Sequence, residues 1–274
     1  MEGPELVSVA LDAGVTIEAI YVAPDGRSNA AVVDVVDRAF AAGVRVFDLA
    51  DGVIERIADT IAPQPVLAVV GFASAALEDV REASIVVVCV DVRDPGNAGT
   101  MIRTADASGV GAVICCEGSV DPTNPKTVRA SAGSVFHVPV VVGGEAEAVV
   151  ETLKSWEFVT VGTAARGGID YAKFDWSQRV ALVFGNEASG LVPAVMDRLD
   201  QRVSIPMVGR AESLNVGVSA SVLCFEAMRQ RGAPGGEQPN SVDGEGLGST
   251  LSSMDEPPAE VGFEAEPTDP KDRS

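Results

Sequence analysis

Apolar residues along the chain fall into alternating blocks of two periods, one near 3.6 residues and one near 2. The first block, residues 5–13, predicts a helix, and residues 16–22 a strand. Residues 30–42 predict a second helix with Val32, Val36, Ala39 and Phe40 on one face. Strands are expected at 44–49 and 65–70, with a short helix near 51–59. The small, polar stretch 73–84 reads as a linker closing a front module of residues 1–72.

Beyond residue 84 the βα alternation becomes clearer. Residues 85–90 are almost wholly β-branched, as expected of a parallel strand buried on both faces. Asp94-Pro95-Gly96 turns into a helix predicted over 97–108, with Asn97 as its cap. Further strands are expected at 112–115, 138–142, 158–161 and 180–184, and a closing helix at 214–231. This alternation predicts an α/β domain over 85–231, built on a parallel sheet and preceded by a smaller α/β module.

Composition narrows the functional classes. The 274 residues are 46 % apolar and 5 % aromatic, which suits a Val/Ala-rich α/β core. No apolar run approaches the ~18 residues of a membrane span, and the start lacks the basic-then-apolar order of a signal peptide. A cytoplasmic protein with no membrane partner is expected. Four cysteines without a CxxC pair and a single histidine, His137, argue against a metal site. His137 lies in an extended apolar stretch, where a packed or edge position is expected instead of a catalytic base.

The formal net charge is −20. Residues 232–274 hold ten acidic residues against Lys271 and Arg273, among many Gly, Pro and Ser, and are expected to form a disordered acidic tail. That tail carries −8, leaving −12 for residues 1–231. Contact with a nucleic acid would therefore need a local basic patch.

Three loops are candidates for the place off the strand ends where open parallel sheets bind ligands. They are residues 91–99 with Arg103 in the next helix, residues 185–190, and residues 207–215. None has the GxGxxG fingerprint or a GxxxxGK[ST] phosphate loop. Each also has a bland reading: a turn at Gly185-Asn186-Glu187, an N-cap at Ser213, a surface pair of Arg103 with Asp106. Pattern alone gives a pocket without a reaction.

Taken together, the loops resemble the three sequence motifs of the SpoU family of SPOUT methyltransferases. Asp94-Pro-Gly-Asn-Ala-Gly-Thr-Met-Ile-Arg-Thr-Ala105 is similar to the first, and Ala181-Leu-Val-Phe-Gly-Asn-Glu-Ala-Ser-Gly-Leu191 to the second. Ser204-Ile-Pro-Met207 with Glu212-Ser-Leu-Asn-Val216 is similar to the third, and Asn124-Pro-Lys-Thr-Val-Arg-Ala-Ser-Ala-Gly-Ser134 to the segment between. The resemblance implies a SPOUT fold with a deep C-terminal trefoil knot, a bent S-adenosyl-L-methionine held mainly by backbone groups, and methyl transfer to a ribose 2′-hydroxyl of RNA.

Carried over by position, Thr163, Ala164, Gly185, Ile205 and Leu214 would line the cofactor site. Arg103 would act on the reacting hydroxyl, either as a deprotonated base or as an orienting and oxyanion-stabilising group. Asn97, Glu187, Ser213 and Asn215 would hold loops or reactants in place. Lys126 and Arg129 would contact RNA phosphates, or alternatively form surface salt bridges. The resemblance also implies a homodimer through the knotted domain. Glu2-Gly-Pro-Glu-Leu-Val7 is similar to part of the ribosomal-protein-like RNA-binding module found before many SpoU domains, but without the helix and strand that usually precede it. The front module is therefore expected to be trimmed, with a sheet edge left open unless covered. Ribosomal RNA is the expected substrate, with transfer RNA or a catalytically silent RNA-binding role as alternatives.

Overall fold

The structure, a computed structural model, describes residues 1–58, 60–164 and 167–232. The expected tail therefore lies, from residue 233 onward, outside the described residues. The front module comprises α1 (Pro4–Asp12), β1 (Ile17–Val22), α2 (Ala30–Ala41), β2 (Arg45–Asp48), the single turn α3 (Ile54–Ile57) and β3 (Val66–Val70). Its three strands run in the order β2-β1-β3, parallel between β1 and β2 and antiparallel between β1 and β3. Asn29 starts α2 by accepting from the amides of Ala31 and Val32. Val32, Val35, Val36 and Ala39 pack with Val7, Ala10, Ile20, Val22, Val66 and Ala68 into a core between α1, α2 and one sheet face.

Phe40 is a correction to the sequence reading: it is 58 % exposed, and Val35 takes the buried position. Both residues border the same helical stripe, and only the sheet's position decides which edge is covered.

The free edge of β3 is met by the residues before α1. The Gly3 amide donates to Val66 O at 3.0 Å, the Met1 N-terminus donates to Ala68 O at 2.8 Å, and Glu2 bridges Leu67. Glu2 is buried and accepts from Thr60 Oγ1 and the Gln64 amide. The edge expected to be open is thus partly paired.

The larger sheet is built from β4 (Ile85–Cys89), α4 (Pro95–Ser108), β5 (Ala112–Cys115), α5 (Pro125–Ala130), β6 (Val140–Val142), α6 (Ala146–Ser155), β7 (Val159–Thr163), β8 (Ile169–Asp170), β9 (Val180–Phe184), α7 (Pro193–Met196), β10 (Gln201–Ser204) and α8 (Val216–Arg231). All its pairings are parallel, in the order β6-β5-β4-β9-β7-β10-β8. β4 and β9 are buried throughout, matching their β-branched runs. The late strand β9 inserts between β4 and β7, and β10, which the pattern of residues 201–204 did not mark, extends the sheet beyond β7.

One face of this sheet packs against α4 and α8 through Met101, Ile102, Leu223 and Cys224. The other packs against α6 through Val149, Val150 and Leu153. Cys89, Cys115, Cys116 and Cys224 are all free and buried. Residues 73–84, expected to link the two modules, lie along β6, where Ala75 pairs with Val141 and Val80 enters the core. Leu6 of α1 also joins the larger core. His137 sits partly exposed, with Nδ1 3.1 Å from Asp106 Oδ2, so Asp106 faces His137, and the surface pair of Arg103 with Asp106 that was the alternative reading is absent among the described residues. No described helix is long and apolar enough to cross a membrane.

Candidate active site

The carboxyl ends of β7, β9 and β10 open onto a cleft of about 790 Å3. Thr163, Ala164, Gly185, Ile205 and Leu214, the five residues expected to hold the cofactor, all line it, as do Glu187, Ser213 and Asn215. Gly185 is required by close approach: a Cβ there would overlap the backbone of Gly190 and Leu191. Asn186 shapes this turn. Its Oδ1 accepts from the Ala188 amide at 3.0 Å and the Ser189 amide at 3.2 Å, and its Nδ2 donates to Asp91 O at 3.0 Å. Asp91 itself has φ 56°, a left-handed conformation that bends the chain out of β4.

A hydrogen-bonded relay ties the three loops together. Glu187 Oε1 accepts from Asn97 Nδ2 at 3.0 Å and from the Asp94 amide at 3.1 Å, while Oε2 accepts from the Arg93 amide at 3.3 Å. Asn97 Oδ1 in turn accepts from Asn215 Nδ2 at 2.8 Å. Asn215 Oδ1 accepts from the Gly217 amide at 2.8 Å and the Val218 amide at 3.3 Å, capping α8. Partial burial raises the Glu187 pKa, but the hydrogen bonds from Asn97, its own backbone, Asp94 and Arg93 outweigh it and leave the carboxyl below its ordinary value.

Two sequence expectations are corrected by this geometry. Asn97 is not the cap of α4. Asp94 caps it, accepting from the Asn97 amide at 2.8 Å, and Pro95 occupies the first helical turn. Asn97 is buried and free to join Glu187 to Asn215. The closing helix starts at Val216 instead of 214, because Asn215 is the cap and Leu214 stays in the loop facing the cleft.

Arg103 lies on α4, exposed, outside the cleft lining and without a hydrogen bond or ion pair among the described residues. Lys126 is exposed and Arg129 half-buried on α5, and neither side chain forms an ion pair among the described residues. α5 packs closely on α4, since a Cβ on Gly99 would stand 2.6 Å from Thr127 O. Ser213 is exposed at the cleft. Arg202 and Glu212 also line it; Glu212 stands in the loop and motif that the sequence singled out, without a role assigned to it, whereas nothing in the sequence had marked Arg202. Among the described residues no cluster of three or more His, Cys, Asp or Glu could hold a metal ion.

Residues 84–225 match the SpoU rRNA Methylase family, over more than half of the chain, and residues 1–68 match the MRM3-like substrate binding domain. The chain belongs to the SpoU rRNA methylase family. A similar relative is the 23S rRNA (guanosine(2553)-2′-O)-methyltransferase RlmP of Bacillus subtilis (strain 168), 34 % identical over 82 % of this chain and 86 % of that protein. The 23S rRNA (uridine(2479)-2′-O)-methyltransferase of Streptomyces viridochromogenes is 40 % identical over 62 % of each chain. Among solved structures, the AdoMet-bound rRNA methyltransferase from Sinorhizobium meliloti superposes with a TM-score of 0.70 at 33 % identity, covering 84 % of this chain and 86 % of that one. The SpoU methyltransferase AviRb from Streptomyces viridochromogenes, in complex with AdoMet, gives 0.73 at 28 % identity, covering 84 % and 89 %.

Proposed function

We propose that this chain is an S-adenosyl-L-methionine-dependent RNA ribose 2′-O-methyltransferase acting on ribosomal RNA. The observation that carries the reading is the convergence of all five expected cofactor residues on one cleft at the strand ends. Its size suits a small-molecule ligand. The backbone contact at Gly185 leaves no room for a side chain, in keeping with a ligand held by main-chain groups. The named relatives act on 23S rRNA, and the front module's match to a substrate-binding domain supports the same class of substrate.

When bound, S-adenosyl-L-methionine supplies the methyl group that is transferred. Thr163, Ala164, Gly185, Ile205 and Leu214 hold it, while Ser213 faces the same cleft and contacts substrate or cofactor there. Glu187, Asn97 and Asn215 fix the cleft's rim relative to α4 and so position Arg103. The Arg103 guanidinium has no competing partner among the described residues, so its donors are free to orient the ribose 2′-oxygen and stabilise the charge that develops on it, the hydroxyl proton passing to the solvent water that reaches this exposed side chain. Lys126 and Arg129, on the helix packed against α4, contact RNA phosphates.

The insertion of β9 between β4 and β7, with β10 placed beyond β7, supports a trefoil-knotted connection in this domain. Val218 and Phe225, exposed seven residues apart along α8, support a homodimer through it. Action on ribosomal RNA supports a cytoplasmic location. The deciding test is methyl transfer from labelled S-adenosyl-L-methionine to total RNA of a strain lacking the protein. Label in a 2′-O-methylated nucleotide of ribosomal RNA, absent with Arg103→Ala, is the expected result. Label confined to transfer RNA would reassign the substrate, and cofactor binding without transfer would indicate a silent RNA-binding protein.

A further inference from the structure

On the sheet face of the front module turned away from α1 and α2, Arg45, Phe47 and Val69 are exposed, Tyr21 and Leu67 half-buried, and the small Ala19 between them buried. Across the three strands the register sets Phe47, Tyr21 and Leu67 in one row and Arg45, Ala19 and Val69 in the next. These residues alternate with Ile20, Val22, Val66 and Ala68, which point into the core under α1 and α2. The Phe47 and Tyr21 rings stack at 5.5 Å between centroids, within 22° of parallel. β2 is the sheet's edge strand, and Phe47 is 44 % exposed; Val69, across the sheet, is 46 % exposed. Cross-strand packing explains the contact between the rings. It does not explain why an aromatic side chain on an edge strand is left uncovered beside the exposed Arg45, whose guanidinium has no partner among the described residues.

We infer that this face is a stacking platform for an unpaired RNA base, with Phe47 and Tyr21 continuing the stack and Arg45 beside it reaching the nucleotide's phosphate or ring. The inference rests on the RNA methyltransferase reading and adds the surface and mode by which the front module takes its substrate. Charge decides between modes of RNA contact. Residues 1–70 contain eleven acidic and four basic residues, so their overall field repels a phosphate backbone. Stacking draws its energy from the base's π-face and not from a positive field, and Arg45 beside the rings offsets the repulsion at the one phosphate it reaches. A second protein would use the same apolar patch without needing the parallel rings or the free guanidinium.

The test uses the full chain and single-stranded RNA oligonucleotides of mixed sequence carrying 2-aminopurine, whose fluorescence is quenched by stacking. Wild type should quench the probe, and Phe47→Leu should weaken binding about tenfold, the scale of one lost base stack. Phe47→Trp should retain the quench, and all three proteins should bind S-adenosyl-L-methionine equally, which shows that they are folded. Equal RNA binding and quenching by wild type and Phe47→Leu would overturn the platform whether or not methyl transfer occurs. A change in sedimentation of Phe47→Leu without RNA would also overturn it, by assigning the face to a second copy of the chain. Because binding is read without turnover, failure of methyl transfer by a wild type that quenches the probe would count against the enzymatic reading alone.

Discussion

Asn215 Nδ2 donates to Asn97 Oδ1 at 2.8 Å, joining residues 118 positions apart in sequence and fixing the start of α8 against the first turn of α4. Removing the middle member of this relay breaks two contacts at once. Asn97→Ala should lower unfolding free energy by about 1–3 kcal/mol, read as a shift in the urea midpoint, and reduce methyl transfer. Asn97→Asp should be worse near neutral pH, because it sets a carboxylate against Glu187 where an amide N–H now donates. Equal stability of the two variants would contradict the relay.

Gly185→Ala tests the cleft wall. The added methyl meets the backbone of Gly190 and Leu191, which cannot swing away as a side-chain tip could. Affinity for S-adenosyl-L-methionine, measured by calorimetry, should fall by at least about tenfold, equivalent to about 1.4 kcal/mol. A normal affinity would place the cofactor elsewhere.

Arg103→Lys keeps a positive charge but loses the planar fork of donors. Cofactor affinity should hold, since Arg103 lies outside the cleft lining, while turnover falls by about 10²–10³-fold in a single-turnover assay. Full activity of the Lys variant would remove Arg103 from the reaction.

The parallel sheet and the position of the cleft at its strand ends were legible because chemistry and local pattern coincide there. The β-branched run at residues 85–89 announced a buried parallel strand, and the Gly-rich loops announced close approach to a ligand. Asn97 was misread as a cap because Asp94 and Asn97 are both good capping residues three apart, and only the position of Glu187, ninety residues away, separates their roles. Phe40 was misread because helical period defines a stripe without saying which border the neighbouring sheet covers. Strand order was beyond periodicity altogether. Nothing in residues 180–184 alone says that this strand slips between β4 and β7. The assignment of particular residues to a cofactor came from family resemblance; Arg202, outside its motifs, was missed, and Glu212, within the third motif, was given no role.

Glu187 gives the site a defined response to acid. A carboxyl whose pKa is depressed on folding favours the folded state above its unfolded value, near 4.5, and loses that contribution as the pH falls through its folded value. The stability difference between wild type and Glu187→Gln should therefore be constant from neutral pH down to about 4.5 and shrink below it. A difference that grew with acid would show that burial, not hydrogen bonding, governs this group.

Two of the buried cysteines give the protein an internal clock. Burial pushes the Cys224 and Cys116 thiols up to about 12, with neighbouring Cys115 and acidic residues adding to the rise at Cys116. The thiolate is the reactive form, so a thiol reagent in neutral solution reaches these sulfurs only when the sheet and its covering helices part. Cys116 lies just beyond β5 and Cys224 within α8, so their separate modification rates time the opening of the strand layer and of the closing helix, in the unlabelled native chain.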